Sequence, residues 1–164
     1  MSIVSLILQD FERQFAAIDH AVAQVSEGQF TSVPAGEGNP ITSLVAHLSG
    51  ALLSRVDGFL VLDQEKPWRD RHSEFHALAP KSAILPRWEE AKTLVHRELS
   101  AFTDADLGKQ VLFRGQKLPA GDTLLRLLTH VAYHAGQVVL LARLHLGPAW
   151  KPATAPTPAP ATSR

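Results

Sequence analysis

The sequence contains no cysteine. A disulfide framework, a thiolate metal ligand and a cysteine nucleophile are therefore all excluded. It also has no excess of charge of either sign, with 16 Lys plus Arg against 16 Asp plus Glu. That balance argues against a nucleic-acid binder, which carries a basic surplus or stripe. The amino-terminal stretch MSIVSLILQDFER has no basic residue before its short apolar run, and Asp10 soon interrupts the run. It is a poor signal peptide and too short to span a bilayer. A cytoplasmic protein with no membrane partner is the expectation. No internal repeat is visible.

What is present reads as helix. Ile3, Leu6, Ile7, Phe11, Phe15, Ile18, Val22 and Val25 recur at three- and four-residue steps, predicting an amphipathic helix from about Ser2 to Glu27, stopped by Gly28. A second helix is expected from Asn39 as N-cap, with Pro40 as its first residue, to about Leu62. A third is expected over Ala83–Phe102 with Ser82 as N-cap, placing Pro86 early enough to cost no helical hydrogen bond. The fourth, about Pro119–Leu146, is apolar nearly all round and so should be the most buried. Before it, residues 103–118 should hold a helical turn near Asp104 and a small hairpin, VLFRGQKL, turning at Gly115. Four such helices imply an all-α four-helix bundle over residues 1–150. The Pro/Ala-rich residues 151–164 cannot form a core and read as a mobile tail. The charged stretch DQEKPWRDRHSEF (63–75) reads as an ordered loop docked on the bundle by a buried Trp68.

One segment of the last helix, LLTHVAYHAGQ, raises a chemical question. His130 and His134 are four residues apart, so both imidazoles leave one helix face and can chelate one metal. The alternative is a hydrogen-bonded core pair. Two ligands hold a metal weakly, and His47 is the best-placed third. It sits among Ser43, Gly50, Ala51, Ser54 and Gly58, small residues that leave room for a ligand. Three neutral imidazoles with open positions make a catalytic rather than a closed structural arrangement. A zinc protease would need glutamate after the first histidine, where this chain has Val131, and the helix has no acid after Asp122. The nearest acids are Asp57, Asp63, Glu65 and Glu74. His20, His72, His76, His96 and His145 lie among charged or loop residues and read as surface groups.

The stretches NPITSLVAHLSGALLSRVDGFL (39–60), EKPWRDRHSEF (65–75) and LLTHVAYHAGQVVLLARLHLG (127–147) together resemble the DinB-like (YfiT-like) superfamily of four-helix-bundle metalloenzymes, in particular an uncharacterised subgroup. The resemblance covers about 1–150. It implies an up-down-down-up bundle, a homodimer, and zinc or nickel held by His47, His130 and His134. Characterised relatives transfer or isomerise with a small cellular thiol as cosubstrate. A metal held by three neutral imidazoles can lower the pKa of a bound thiol, and without cysteine the thiol must be external. The expected function is thus thiol transfer to a small-molecule electrophile entering beside Gly50, Ala51 and Ser54. Arg69 or Arg71 could clamp an anionic cosubstrate, the alternative being a salt bridge to Asp70 or Glu74. Metal-dependent hydrolysis with one of the nearby acids as proton acceptor, or a non-catalytic stress-related metal-binding bundle, are the rival readings.

Overall fold

The computed structural model describes residues 2–34, 38–76 and 78–153. It is a helical bundle with one two-stranded hairpin. The elements are α1 (Ile3–Gln24), α2 (Glu27–Phe30), α3 (Ile41–Val56), α4 (Arg71–His76), α5 (Lys81–Ser100), a 3-10 turn (Asp104–Gly108), β1 (Gln110–Phe113), β2 (Gln116–Pro119) and α6 (Ala120–Leu146). The four long helices α1, α3, α5 and α6 are those expected.

Their ends differ from the sequence reading for local reasons. α1 ends at Gln24, before the expected Glu27, because Ser26 opens a separate capping box with Gln29. Gly28 therefore lies inside the short α2 and is not the stop. The start of α1 is held by Ser2 and by Asp104, whose carboxylate oxygens each accept a backbone N–H, from Ile3 and Val4, at 3.0 Å. Pro40, Pro80 and Pro119 are themselves the N-cap residues of α3, α5 and α6, with extended ψ of 165°, 162° and 135°. Asn39 and Ser82 accordingly cap nothing. Pro86 becomes the sixth residue of α5 rather than the fourth, so one helical hydrogen bond is lost there after all. α3 stops at Val56, short of Leu62, and Gly58 turns the chain with φ +60°. The hairpin turns at Arg114 and Gly115, both with positive φ (53° and 73°), the two-residue turn whose twist matches paired strands.

α1 packs against α6 and α5, and α3 packs against α5, α6 and α4. Helices consecutive in sequence, α1 with α3 and α5 with α6, are therefore diagonal, and the long connections cross the ends of the bundle. The core is built by Phe11, Phe15, Ile18, Leu44, Leu48, Leu52, Trp88, Val95, Leu124, Leu127 and Val131 among others. Ile3 and Leu6, expected on the core stripe of α1, are exposed at the end of that helix.

The most buried long helix is α3 and not α6. Thirteen of its 16 residues are buried, because α4, α5 and α6 cover it. α6 has long-helix neighbours on one side only, and Leu125, Tyr133, Leu140 and Leu144 stay exposed along its other face. By length and composition alone α6 could cross a membrane, a test that bundle helices also pass.

Trp68 is the second correction. Its indole is 51% exposed, with the Arg87 guanidinium 5.5 Å from the ring. The buried indole is Trp88, edge-on to Phe15 at 5.2 Å and donating to Asp19 Oδ1 at 2.7 Å. Polar contacts dock the 63–75 segment instead, chiefly Glu74 with His47 of α3, joined by Lys66 with Asp57 and Glu65 with Arg114. Trp68→Ala should therefore cost about 1 kcal/mol or less, well under a core truncation. A thermal melt checks this, and a drop of many degrees would contradict it. The backbone N–H of Lys151, the first residue of the tail, donates to Gln24 Oε1 at 2.9 Å. The expected mobility of residues 154–164 lies outside the described residues.

Candidate metal centre

α3 and α6 meet in a narrow seam, and the three histidines face each other across it. His47 leaves α3 and is 2% exposed; His130 and His134 leave α6 one turn apart, and His134 is 9% exposed. His130 is half-buried and the most accessible of the three. The ring centroids are 4.7–5.1 Å apart. One nitrogen from each ring lies within 4.8 Å of the others. The tightest pair, His47 Nε2 and His130 Nε2, is 3.1 Å apart. Bonds of about 2.0–2.1 Å to one tetrahedral ion call for separations of roughly 3–4 Å.

The outer nitrogens explain why the inner ones converge. His47 Nδ1 donates to Glu74 Oε2 at 2.9 Å, and His134 Nδ1 donates to Gln137 Oε1 at 2.6 Å. A carboxylate and an amide oxygen only accept, so each fixes the proton on Nδ1 and leaves the Nε2 lone pair for a metal. His130 Nδ1 is buried with no partner, so no hydrogen bond competes for orientation of that ring. The donor set therefore fits a metal ion.

Glu74 belongs to α4, a six-residue helix in the stretch that the sequence reads as a loop. Arg69 holds it through two hydrogen bonds, Nε to Oε1 at 2.9 Å and Nη2 to Oε2 at 3.0 Å. Phe75 stacks on the His47 ring at 4.4 Å. These side chains fill the space that the small residues of α3 provide. A Cβ on Gly50 would collide with Glu74 Oε1 and lie 2.8 Å from its Cδ. The Ser54 hydroxyl accepts from Arg69 Nη1 at 3.4 Å, and Ser43 Oγ donates to the Phe75 carbonyl at 3.3 Å. An electrophile does not enter beside Gly50 and Ser54, because the protein's own carboxylate and guanidinium are there. Of the two arginines singled out in the sequence, Arg69 is engaged by Glu74, and Arg71 is exposed on α4. The functional residues that sequence reasoning missed are Glu74 as the partner of His47 and Gln137 as the partner of His134. Gln137 was findable as the residue one turn after His134.

Electrostatics favour the neutral form of His130 and His134. Burial, followed by the charges of His134, Arg55, His47 and Arg69, pushes His130 down to about 3. Burial also lowers His134, against the opposing hydrogen bond to Gln137. Burial alone would raise Glu74, but hydrogen bonds from His47 and Arg69 outweigh it and hold the carboxyl below its ordinary range. Unfolded His130 takes a proton near pH 6.5, whereas the folded ring takes one only near 3. Its contribution to stability is complete above about pH 6.5 and is lost as pH falls toward 3. The metal-free protein should melt at progressively lower temperature through that window, and His130→Gln should flatten the slope. A melting temperature constant from pH 7 to 4 would contradict this.

The profile of a family described as "Protein of unknown function (DUF1572)" matches residues 2–158. No curated protein matches the chain. A solved structure of similar fold is described as the crystal structure of the conserved protein of locus from Enterococcus faecalis. It is 17% identical, has a TM-score of 0.70, and the match covers 88% of this chain and 97% of that one. At that identity the likeness bears on the fold alone.

Proposed function

The chain belongs to the DUF1572 family, and from that premise we propose that it is a divalent-metal-dependent enzyme of the DinB-like superfamily that transfers a small cellular thiol to an electrophile. The observation that carries the reading is the convergence of His47, His130 and His134 with their outer nitrogens already committed to Glu74 and Gln137. A zinc or nickel ion at that centre supplies Lewis acidity that lowers the pKa of a coordinated thiol.

The residues of the chain do the rest. Glu74 and Gln137 hold two rings in the ligating tautomer, and Arg69 balances the Glu74 charge without touching the metal face. Packing of α3, α4 and α6 around the rings limits water, with His130 at the accessible edge. Thiol transfer suits this site because it needs no protein base, and the nearby acids have other duties. Asp57 lies 3.8 Å from Lys66, Asp63 accepts N–H groups of the hairpin turn, Glu65 pairs with Arg114, and Glu74 pairs with Arg69 and His47. Hydrolysis would need one of them free as proton acceptor. A homodimer in the cytoplasm belongs to the same proposal, and the exposed Leu125, Tyr133, Leu140 and Leu144 of α6 support a second copy as partner.

Untagged protein, assayed for bound metal and then for consumption of small thiols with an electrophile such as a halogenated aromatic, tests the reading. The rate should rise with pH to a midpoint below the free-thiol value of about 8.5. Stoichiometric metal with no turnover across several thiols and electrophiles, or turnover without metal, would overturn it.

A further inference from the structure

Trp68 stands half-exposed on the rim of a cleft that the histidine centre does not use. The cleft has a volume of about 800 Å³, within the range of small-molecule sites. Leu53 of α3 and Pro86, Arg87, Glu90 and Leu94 of α5 line it together with Trp68. A smaller cavity of about 260 Å³ adjoins it, sharing Trp68 and Arg87, with Ala46 and Ser49 on its α3 side. Ala46, Ser49 and Leu53 recur at three- and four-residue steps and so share one face of α3. At 100° per residue, each lies about 100° or more around the helix from His47. The larger cleft is thus separate from the histidine seam, and only the smaller cavity reaches toward it, through Glu74.

Four charged side chains line the larger cleft, and two of them are engaged. Asp57 lies 3.8 Å from Lys66, and Arg97 Nη2 lies 2.9 Å from Glu98. Among the described residues Arg87 and Glu90 have no ion-pair partner within 4.0 Å. They stand three residues apart on α5, the spacing at which opposite charges ordinarily meet. Here the Arg87 guanidinium lies instead against the Trp68 indole, 5.5 Å from the ring centre. A guanidinium held on an aromatic ring keeps N–H groups free for the two oxygens of a carboxylate. One cleft therefore presents an unpaired cation, an unpaired anion and an apolar wall of Trp68, Pro86, Leu53 and Leu94. A ligand that satisfies all three carries a carboxylate, an ammonium group and an apolar body.

We propose that this cleft binds a zwitterionic amino acid with a large apolar side chain. Arg87 takes the carboxylate in a bidentate pair, Glu90 takes the ammonium group, and Trp68 with Pro86 and Leu94 covers the side chain. The proposal is independent of the metal reading. It also gives the exposed indole of Trp68 a task outside the core, since tryptophan suits places where an apolar body meets water.

Calorimetry on the protein as purified tests it, with L-phenylalanine as the probe. Binding should saturate with a Kd below about 1 mM. 2-Phenylethylamine, which lacks the carboxylate, and 3-phenylpropionate, which lacks the ammonium group, should each bind at least about tenfold more weakly. In Arg87→Met the preference for phenylalanine over phenylethylamine should fall to within about twofold of unity, and in Glu90→Gln the preference over phenylpropionate should fall likewise. Trp68→Ala should weaken phenylalanine by about tenfold or more while the protein melts nearly as the wild type does. No heat from the wild type with phenylalanine, leucine or tryptophan overturns the proposal, as does an analogue that binds as tightly as phenylalanine. Discrimination that survives Arg87→Met overturns it too. Heat that is lost in His134→Ala yet unchanged in Arg87→Met would put the amino acid on the histidine centre, which also overturns it.

Discussion

Replacing His134 with alanine should lower divalent-metal affinity by roughly a hundredfold to several thousandfold while leaving the bundle folded. The magnitude follows from sharing a binding free energy on the order of 10–16 kcal/mol among three or four ligands. Loss of one imidazole also leaves a pair, His47 and His130, from different helices, which cannot compensate by local chelation. The fold should survive because the core is made elsewhere. Leu124, Leu127, Val131, Ala135 and Val138 anchor α6, and the side-chain hydrogen bond of His134 stays within its own helix, to Gln137. Metal analysis after purification without a histidine tag, with circular dichroism on the same sample, checks both halves. Full metal content in the variant would move the site away from these residues. Loss of helical signal would make His134 a structural ring.

The ligand trio was legible in the sequence because it depends on one helical turn and one further histidine. Spacing put His130 and His134 on one face, and the apolar periodicities put α3 against the same core. The hairpin at Gly115 was equally local, since only the Arg114–Gly115 turn had to be recognised. What supports the ligands was not legible. α4 is six residues long inside a charged stretch, too short for any periodicity to show, yet it delivers Glu74. Burial was misjudged wherever it depended on who covers whom. α6 is the longer helix with apolar residues nearly all round, but α3 has the more neighbours. Trp68 and Trp88 are the same residue type, and only the third dimension puts one in the core and leaves the other beside Arg87. The small residues of α3 were correctly read as leaving space next to His47. Sequence could not tell that the space is taken by the chain's own Glu74 and Arg69 rather than kept for a ligand.

That difference in reading gives the second large effect. If the notch at Gly50 were a substrate pocket, one methyl group would tune specificity and leave metal binding alone. In the structure Gly50 is the place where helix α3 thins enough for the Glu74 carboxylate to reach His47 Nδ1. Gly50→Ala should therefore lower metal affinity by about 10- to 100-fold, the usual loss when a hydrogen-bonding partner of a ligand histidine is removed. The added Cβ overlaps Glu74 Oε1, so the carboxylate must leave, and Arg69 loses both of its hydrogen bonds to it. Alanine is otherwise the better helix former by about 1 kcal/mol, so the helix itself gains while the site loses. Glu74→Gln should show a loss in the same range, because an amide can still accept from Nδ1 but without the charge. The double variant should be no worse than Gly50→Ala alone, since both changes act through one contact. Competition with a chelator of known affinity measures all three. Unaltered affinity in Gly50→Ala would mean that Glu74 does not orient His47; losses that add in the double variant would mean that Gly50 acts through something other than that carboxylate.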